Sequence, residues 1–229
     1  MTVTSGATPS RGAAFRAAFR ARIEGPVARV FIRTHLTPNM LTLIGFAIAV
    51  IGAWLAAIQL WLIAGVIVAF GAVFDLFDGA LARATGKSSK LGAFLDSTFD
   101  RAGEAVVYIG IAVGLTIVTA AGTSAVVAIG ATVAAMGAAF MVSYIRAKSE
   151  SLGFSSGTGM ANIGLAPREV RTAILGLALI VAGLLPTSET TWWTVLVGAL
   201  GLIAILATIT TIQRILFVYQ QSTKQEVTR

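Results

Sequence analysis

Apolar residues fall in six long stretches separated by short polar breaks, at roughly residues 40–59, 61–83, 92–118, 123–146, 170–186 and 192–216. An α-helix rises ~1.5 Å per residue, so about twenty apolar residues cross a hydrocarbon core of ~30 Å. The pattern therefore predicts an all-α, polytopic membrane protein with six transmembrane helices. The second, third and fourth stretches run on into polar sequence, so those helices are expected to extend past the hydrocarbon. Thr37 before Pro38 is an N-cap followed by a residue suited to a first helical turn, so the first span is expected to start there.

Upstream, residues 1–10 are small and polar and are expected to be disordered. Residues 11–36 interleave Arg11, Arg16, Arg20, Arg22, Arg29 and Arg33 with Phe15, Phe19, Ile23, Val30 and Phe31. That pattern predicts a basic amphipathic helix, broken near Gly25-Pro26, on an anionic membrane surface. An Arg-rich, acid-poor leader also resembles an organellar transit peptide. It does not resemble a secretory signal, because no apolar core falls within the first thirty residues. The organisation expected is a tail (1–10), a juxtamembrane segment (11–36), a six-helix domain (37–218) and a second tail (219–229).

Composition supports a membrane reading. Only 12% of residues are charged, about half the usual share for a soluble domain, and mean hydropathy is +0.86. The net charge of +7 and pI near 10.6 could indicate a nucleic-acid partner, but the location of the charges argues otherwise. Every Lys and Arg lies before the first span, in 83–101, in 146–171 or from Arg214 onward. The connections near Gln59, at 120–124 and at 187–191 carry none. The positive-inside rule then places both termini on the cytoplasmic side of a cell membrane, with no nucleic-acid partner. The chain has no cysteine, which excludes disulfides and thiolate metal sites. Gly110 and Gly114 recur at helical spacing and read as close-packing positions. His35, the only histidine, has no companion ligand and receives no role.

The second and third stretches flank a polar turn and carry four aspartates. Asp75 and Asp78 are three apart, and Asp96 and Asp100 are four apart, so each pair shares a helix face. Folding the hairpin brings the two acidic faces together at one end. Four converging carboxylates repel unless cations lie among them, and the ligands are oxygen only, so a hard cation such as Mg²⁺ or Mn²⁺ is expected. At the same depth lie Arg146 and Lys148, which end the fourth stretch, and Arg168 and Arg171, which open the fifth. Arg168 and Arg171 are spaced i,i+3 at a helix N-terminus, a geometry that suits a phosphate. Ordinary positive-inside charge with snorkelling side chains is the competing account. As a set, the four cations suggest an anionic substrate.

Written out, the acidic hairpin reads Asp75-x-x-Asp78-Gly79-x-x-Ala82-Arg83, eight residues, then Gly92-x-x-x-Asp96-x-x-x-Asp100. This resembles the signature of the CDP-alcohol phosphotransferase family, with every position filled. The resemblance implies transfer of a phosphatidyl group from CDP-diacylglycerol to an alcohol, with release of CMP. It implies that Asp75, Asp78 and Asp96 hold one or two divalent ions, with Asp100 reaching a second ion and serving as general base. Gly79 and Ala82 would leave room for the nucleotide, Gly92 would line the same site and Arg83 would pair with a phosphate. Asn39 and Thr42 match a Pro-x-x-x-Thr step that family members often place beside the nucleotide, although simple capping explains them equally.

The segments SYIRAKSE and APREVR are similar to those of the bacterial inositol-phosphate branch of this family. That similarity implies inositol 1-phosphate as acceptor, with glycerol 3-phosphate as the alternative. Here Lys and Arg are exchanged at Arg146 and Lys148, and ArgAlaGlyGluAla after Asp100 departs from that branch. A homodimer is expected because family members commonly pair. An ion-coupled transporter is the alternative of another class, but its acids would continue across the membrane, and here all four lie on one hairpin.

Overall fold

The computed structural model describes residues 37–85, 89–119, 122–154, 160, 163–185 and 189–227, with the backbone alone for 75–85, 118–119, 189 and 224–227. The tail expected at 1–10 and the amphipathic segment expected at 11–36 lie outside the described residues.

Six helices follow one another: α1 Pro38–Ala57, α2 Trp61–Thr85, α3 Lys90–Thr119, α4 Thr123–Ser151, α5 Arg168–Leu184 and α6 Glu189–Val227. No strand occurs among the described residues. Thr37 caps α1, its Oγ1 accepting from the Met40 backbone N–H at 3.3 Å, and Pro38 occupies the first turn. The C-terminal residues expected as a separate tail instead continue α6 to Val227.

The helices close into a ring in which α1 packs on α2, α2 on α5, α5 on α6, α6 on α4, α4 on α3, and α3 on α1. Trp61, Tyr108, Ile111, Leu115, Leu179, Leu196, Leu200 and Ile203 fill the interior. Much of the outer surface is apolar, including Trp54, Phe70, Val126, Ile205 and Ile212. An exposed apolar surface of this extent is stable against lipid and not against water. Pro38–Ala57, Thr123–Ser151 and Thr190–Thr223 are long and apolar enough to cross a membrane, and Trp61–Phe74 is a shorter apolar helix.

Two glycines set the approach of α3 to α1. A Cβ at Gly110 would strike the Ala53 carbonyl, and one at Gly114 would strike the Ala56 carbonyl and the Trp61 ring. The close-packing role expected for this pair is what the structure shows. It holds the C-terminal ends of α1 and α3 together, at the end of the pair away from the polar residues.

Candidate active site

The acidic side of the site is built on α3. Ser89 caps that helix: its Oγ accepts from the Gly92 N–H at 2.9 Å, and its carbonyl accepts from Ala93 at 3.0 Å. One and two turns further on, Asp96 and Asp100 are half-buried. Both border a groove of about 710 Å³ between α3 and α4, together with Arg101, Ser143 and Arg146. Asp75, Asp78, Gly79, Ala82 and Arg83 lie on the α2 backbone, but their side chains are outside the described residues. The convergence expected of four aspartates therefore involves side chains outside the described residues. Among the described residues no three His, Cys, Asp or Glu side chains gather as a metal site. The pair that is described fits a hard cation, since it offers carboxylate oxygens from one helix face.

Asn39 and Thr42 lie where α1 meets this end of α3. A Cβ added at Gly92 would stand 3.1 Å from Asn39 Oδ1, so the two residues are direct neighbours. The Thr42 hydroxyl donates to the Pro38 carbonyl at 3.2 Å, which is a helix-internal bond. Thr42 also borders a small cavity of about 50 Å³ enclosed by α1, α2, α3 and α5. Phe46, Ala49, Val68 and Leu175 supply apolar wall there, and Asp100, Glu104 and Arg168 the polar end.

The basic side faces Asp100. Arg168, the first residue of α5, places Nη1 2.8 Å from Asp100 Oδ1. Beside this pair lies a cavity of about 120 Å³, lined by Asp100 and Glu169 and by the five arginines 101, 146, 168, 171 and 214. Arg146 enters from α4, its Nε donating to Glu150 Oε1 at 3.0 Å on an exposed surface.

Two expectations change here. Arg168 and Arg171 do not act as a matched pair. Arg171 is 1% exposed and donates through Nε and Nη2 to the two oxygens of Glu104, both at 2.8 Å, while Nη1 donates to the Ala166 carbonyl at 2.9 Å. Its i,i+3 spacing from Arg168 is real, but a buried carboxylate on α3 claims its guanidinium. Lys148 is exposed and is not among the residues lining the arginine cavity. Two residues correspond to ~200° of rotation on a helix, so Arg146 and Lys148 look in different directions.

Three residues of the site were not anticipated. Glu104 is the buried partner of Arg171, and Arg101 borders both the groove and the cavity. Arg214 is 3% exposed on α6, donating to the Val142 carbonyl at 2.6 Å and the Ile163 carbonyl at 3.0 Å. The signal for Arg214 was present in the sequence: a cation inside an apolar helix is expensive and calls for a function. The loop carrying Ile163 is fixed to the same helix, because the Ala166 N–H donates to Thr210 Oγ1 at 2.9 Å.

A helical bundle with a carboxylate face opposed by guanidinium groups at one end is suited to handling phosphorylated substrates. Residues 35–199 match the CDP-alcohol phosphatidyltransferase family, and the chain belongs to it. It is a transferase of phospholipid biosynthesis, which sets aside the ion-coupled transporter. The chain is 37% identical to the archaetidylinositol phosphate synthase of Pyrococcus horikoshii, over 86% of this chain and 92% of that one. It is 36% identical to the phosphatidylinositol phosphate synthase of Mycolicibacterium smegmatis, over 87% of this chain and 85% of that one. In structure it resembles the Mycobacterium tuberculosis phosphatidylinositol phosphate synthase with CDP-DAG bound, with a TM-score of 0.72 and 28% identity. That match covers 86% of this chain and 94% of the other. The same mycobacterial enzyme in complex with manganese and citrate gives a TM-score of 0.71 at 29% identity, over 86% of this chain and 89% of that one.

Proposed function

We propose that this enzyme transfers a phosphatidyl-type group from a CDP-linked lipid to inositol 1-phosphate, releasing CMP. The observation that carries this reading is the arginine cavity beside Asp100, which offers an anionic acceptor a site within reach of a carboxylate. The names of the relatives support the acceptor, since the archaeal enzyme is an archaetidylinositol phosphate synthase and the bacterial one a phosphatidylinositol phosphate synthase.

Asp100 acts as the general base. It takes the proton from the acceptor hydroxyl as that oxygen attacks the β-phosphorus; the bond to the CMP phosphate breaks and CMP leaves with the electron pair. Asp75, Asp78, Asp96 and Asp100 would hold Mg²⁺ or Mn²⁺, and two such ions would supply charge neutralisation at the diphosphate. Gly79, Ala82 and Gly92 keep the helix surfaces low beside the nucleotide, Arg83 pairs with one of its phosphates, and Asn39 and Thr42 border it. Arg146 and Arg168 hold the acceptor phosphate by charge-assisted hydrogen bonds. Arg171 supports the site through Glu104 rather than through the substrate.

The six helices all span a cell membrane, with both termini and the site on the cytoplasmic side. Cysteines introduced at Ser5 and Thr228 should resist labelling from outside intact cells, and labelling of either would overturn the orientation. The enzyme is a homodimer with one site per chain, for which a monomeric mass in lipid nanodiscs would be the contrary result.

The test of the activity is CMP release by purified protein supplied with CDP-diacylglycerol and Mg²⁺ or Mn²⁺. Inositol 1-phosphate should support turnover well above inositol or glycerol 3-phosphate. CMP release that ignores every phosphorylated alcohol sinks the acceptor, and faster turnover with glycerol 3-phosphate replaces it.

A further inference from the structure

We propose that Arg101 is a further phosphate-binding residue for the acceptor, gripping from α3 the group that Arg146 and Arg168 grip from α4 and α5. This rests on the acceptor reading above and extends it to a residue outside that scheme.

The cavity beside Asp100 is lined by five arginines, and four of them have protein acceptors. Arg171 donates to Glu104 and the Ala166 carbonyl, and Arg214 to the carbonyls of Val142 and Ile163. Arg146 donates to Glu150, and Arg168 meets Asp100. Arg101 differs. Among the described residues no hydrogen bond or ion pair holds it, and its Nη1 is buried without a partner. Asp100 and Glu104 attract it through space, but neither bonds it, and both oxygens of Glu104 serve Arg171. A charged donor shut away from water with no acceptor is costly, and a bound anion supplies what is missing.

The position of Arg101 says which anion. Besides the cavity it lines the groove between α3 and α4, and the two spaces share Asp100, Arg101, Ser143 and Arg146, so they adjoin. An acceptor with its phosphate in the cavity then has its hydroxyls beside Asp100 and the groove. The cavity, at about 120 Å³, is several times the ~10–15 Å³ that one water needs, which leaves room for a tetrahedral oxyanion. Its charge suits one too. Five guanidinium groups outnumber Asp100, Glu169 and the two carboxylates, Glu150 and Glu104, that pair with Arg146 and Arg171. Because no bond tethers Arg101, rotation about its terminal bonds brings the fork to an oxygen in the cavity it already lines. Donors from three helices suit a phosphomonoester, whose three terminal oxygens each accept a charge-assisted hydrogen bond. An alcohol with no phosphate offers none of them.

The test uses the full chain in lipid nanodiscs and two readouts. Inorganic phosphate is titrated calorimetrically into protein held in excess chelator. The KM values of both substrates are measured by CMP release with inositol 1-phosphate, CDP-diacylglycerol and Mg²⁺. Arg101→Gln, which nearly keeps the size and loses the charge, should bind phosphate about tenfold more weakly and raise the acceptor KM about tenfold. The CDP-lipid KM should hold and the thermal midpoint should not fall. Arg101→Lys keeps the charge without the fork and should lie between wild type and Arg101→Gln in both readouts. If Arg101 is only a counter-charge for Asp100 and Glu104, Arg101→Gln lowers the thermal midpoint and leaves phosphate affinity unchanged. If Arg101→Gln keeps wild-type phosphate affinity and acceptor KM while Arg146→Gln loses both, the assignment of Arg101 is wrong and the acceptor reading survives. If the wild type binds no phosphate at all, both fall together. Should Arg101→Gln fail to fold, Arg101→Lys decides: loss of the fork should still weaken phosphate binding severalfold, and wild-type affinity there overturns the proposal.

Discussion

Glu104→Leu removes the carboxylate that holds Arg171 and leaves Nε and Nη2 of that guanidinium with no acceptor. The Glu104 and Arg171 side chains are 5% and 1% exposed, so the stranded guanidinium stays out of bulk water. Breaking a buried pair from one side costs about 3–5 kcal/mol, because the surviving charge stays buried without compensation. Arg171→Met should cost a similar amount from the other side. Exchanging both for apolar residues of similar volume removes the stranded charge, so Glu104→Leu/Arg171→Met should recover most of the loss. The expected coupling is about 3 kcal/mol, read from a double-mutant cycle of denaturant unfolding in mixed micelles. Kinetics on the recovered double variant then separate two roles for Arg171. As a support it leaves the acceptor KM within about threefold of wild type, whereas as a phosphate contact it costs about tenfold or more even when stability returns. Single variants within about 1 kcal/mol of wild type, with additive effects, would refute the argument.

Activity should vanish in excess chelator and return with Mg²⁺ or Mn²⁺, because a divalent cation would supply the charge neutralisation at the diphosphate; full turnover after exhaustive chelation would remove the metal from the scheme. Asp100→Asn should lower turnover by about 10²-fold while CDP-lipid binding survives, as measured by CMP release and by titration with the CDP-lipid. Normal turnover there, alongside a dead Asp75→Asn, would place the base elsewhere. Gly110→Ala should destabilise the bundle by about 1–3 kcal/mol, since its Cβ meets backbone rather than a movable side chain. A thermal midpoint equal to wild type would mean that α1 and α3 can separate at no cost.

Much of the architecture was legible because the apolar runs are long and the breaks between them polar. The predicted stretch at 123–146 and α4 at Thr123–Ser151 share their start, and the polar residues beyond 146 stay helical as expected. The end of α6 was not legible, because polar residues at 219–227 continue a helix as readily as they end one. The partners of the cations were the hardest part. Helices apolar on most faces carry little rotational information, so sequence depth placed Arg146, Lys148, Arg168 and Arg171 together without saying which would meet which carboxylate. Glu104 and Arg171 meet across 67 positions in the chain, and nothing local to either signals the contact. Lys148 differs again, since its two-residue offset from Arg146 sets the two on different sides of α4.

The division of labour among the carboxylates of α3 follows from helical geometry. Asp96, Asp100 and Glu104 are spaced by four, and each step of four residues turns ~40° past a full revolution. Across two steps the stripe drifts by ~80°, enough to present successive acids to different neighbours. Asp96 borders the groove toward α4, and Glu104 reaches across to Arg171 on α5. Asp100 lies between them and borders the groove, the arginine cavity and the small cavity beneath α1. The proposed base is thus the middle member of a drifting stripe, with a proposed metal ligand one turn before it and the Glu104–Arg171 ion pair one turn after it. A heptad spacing of three and four would have wound the stripe back toward a single side. The repeated step of four lets one helix border the groove, the arginine cavity and the buried ion pair at once.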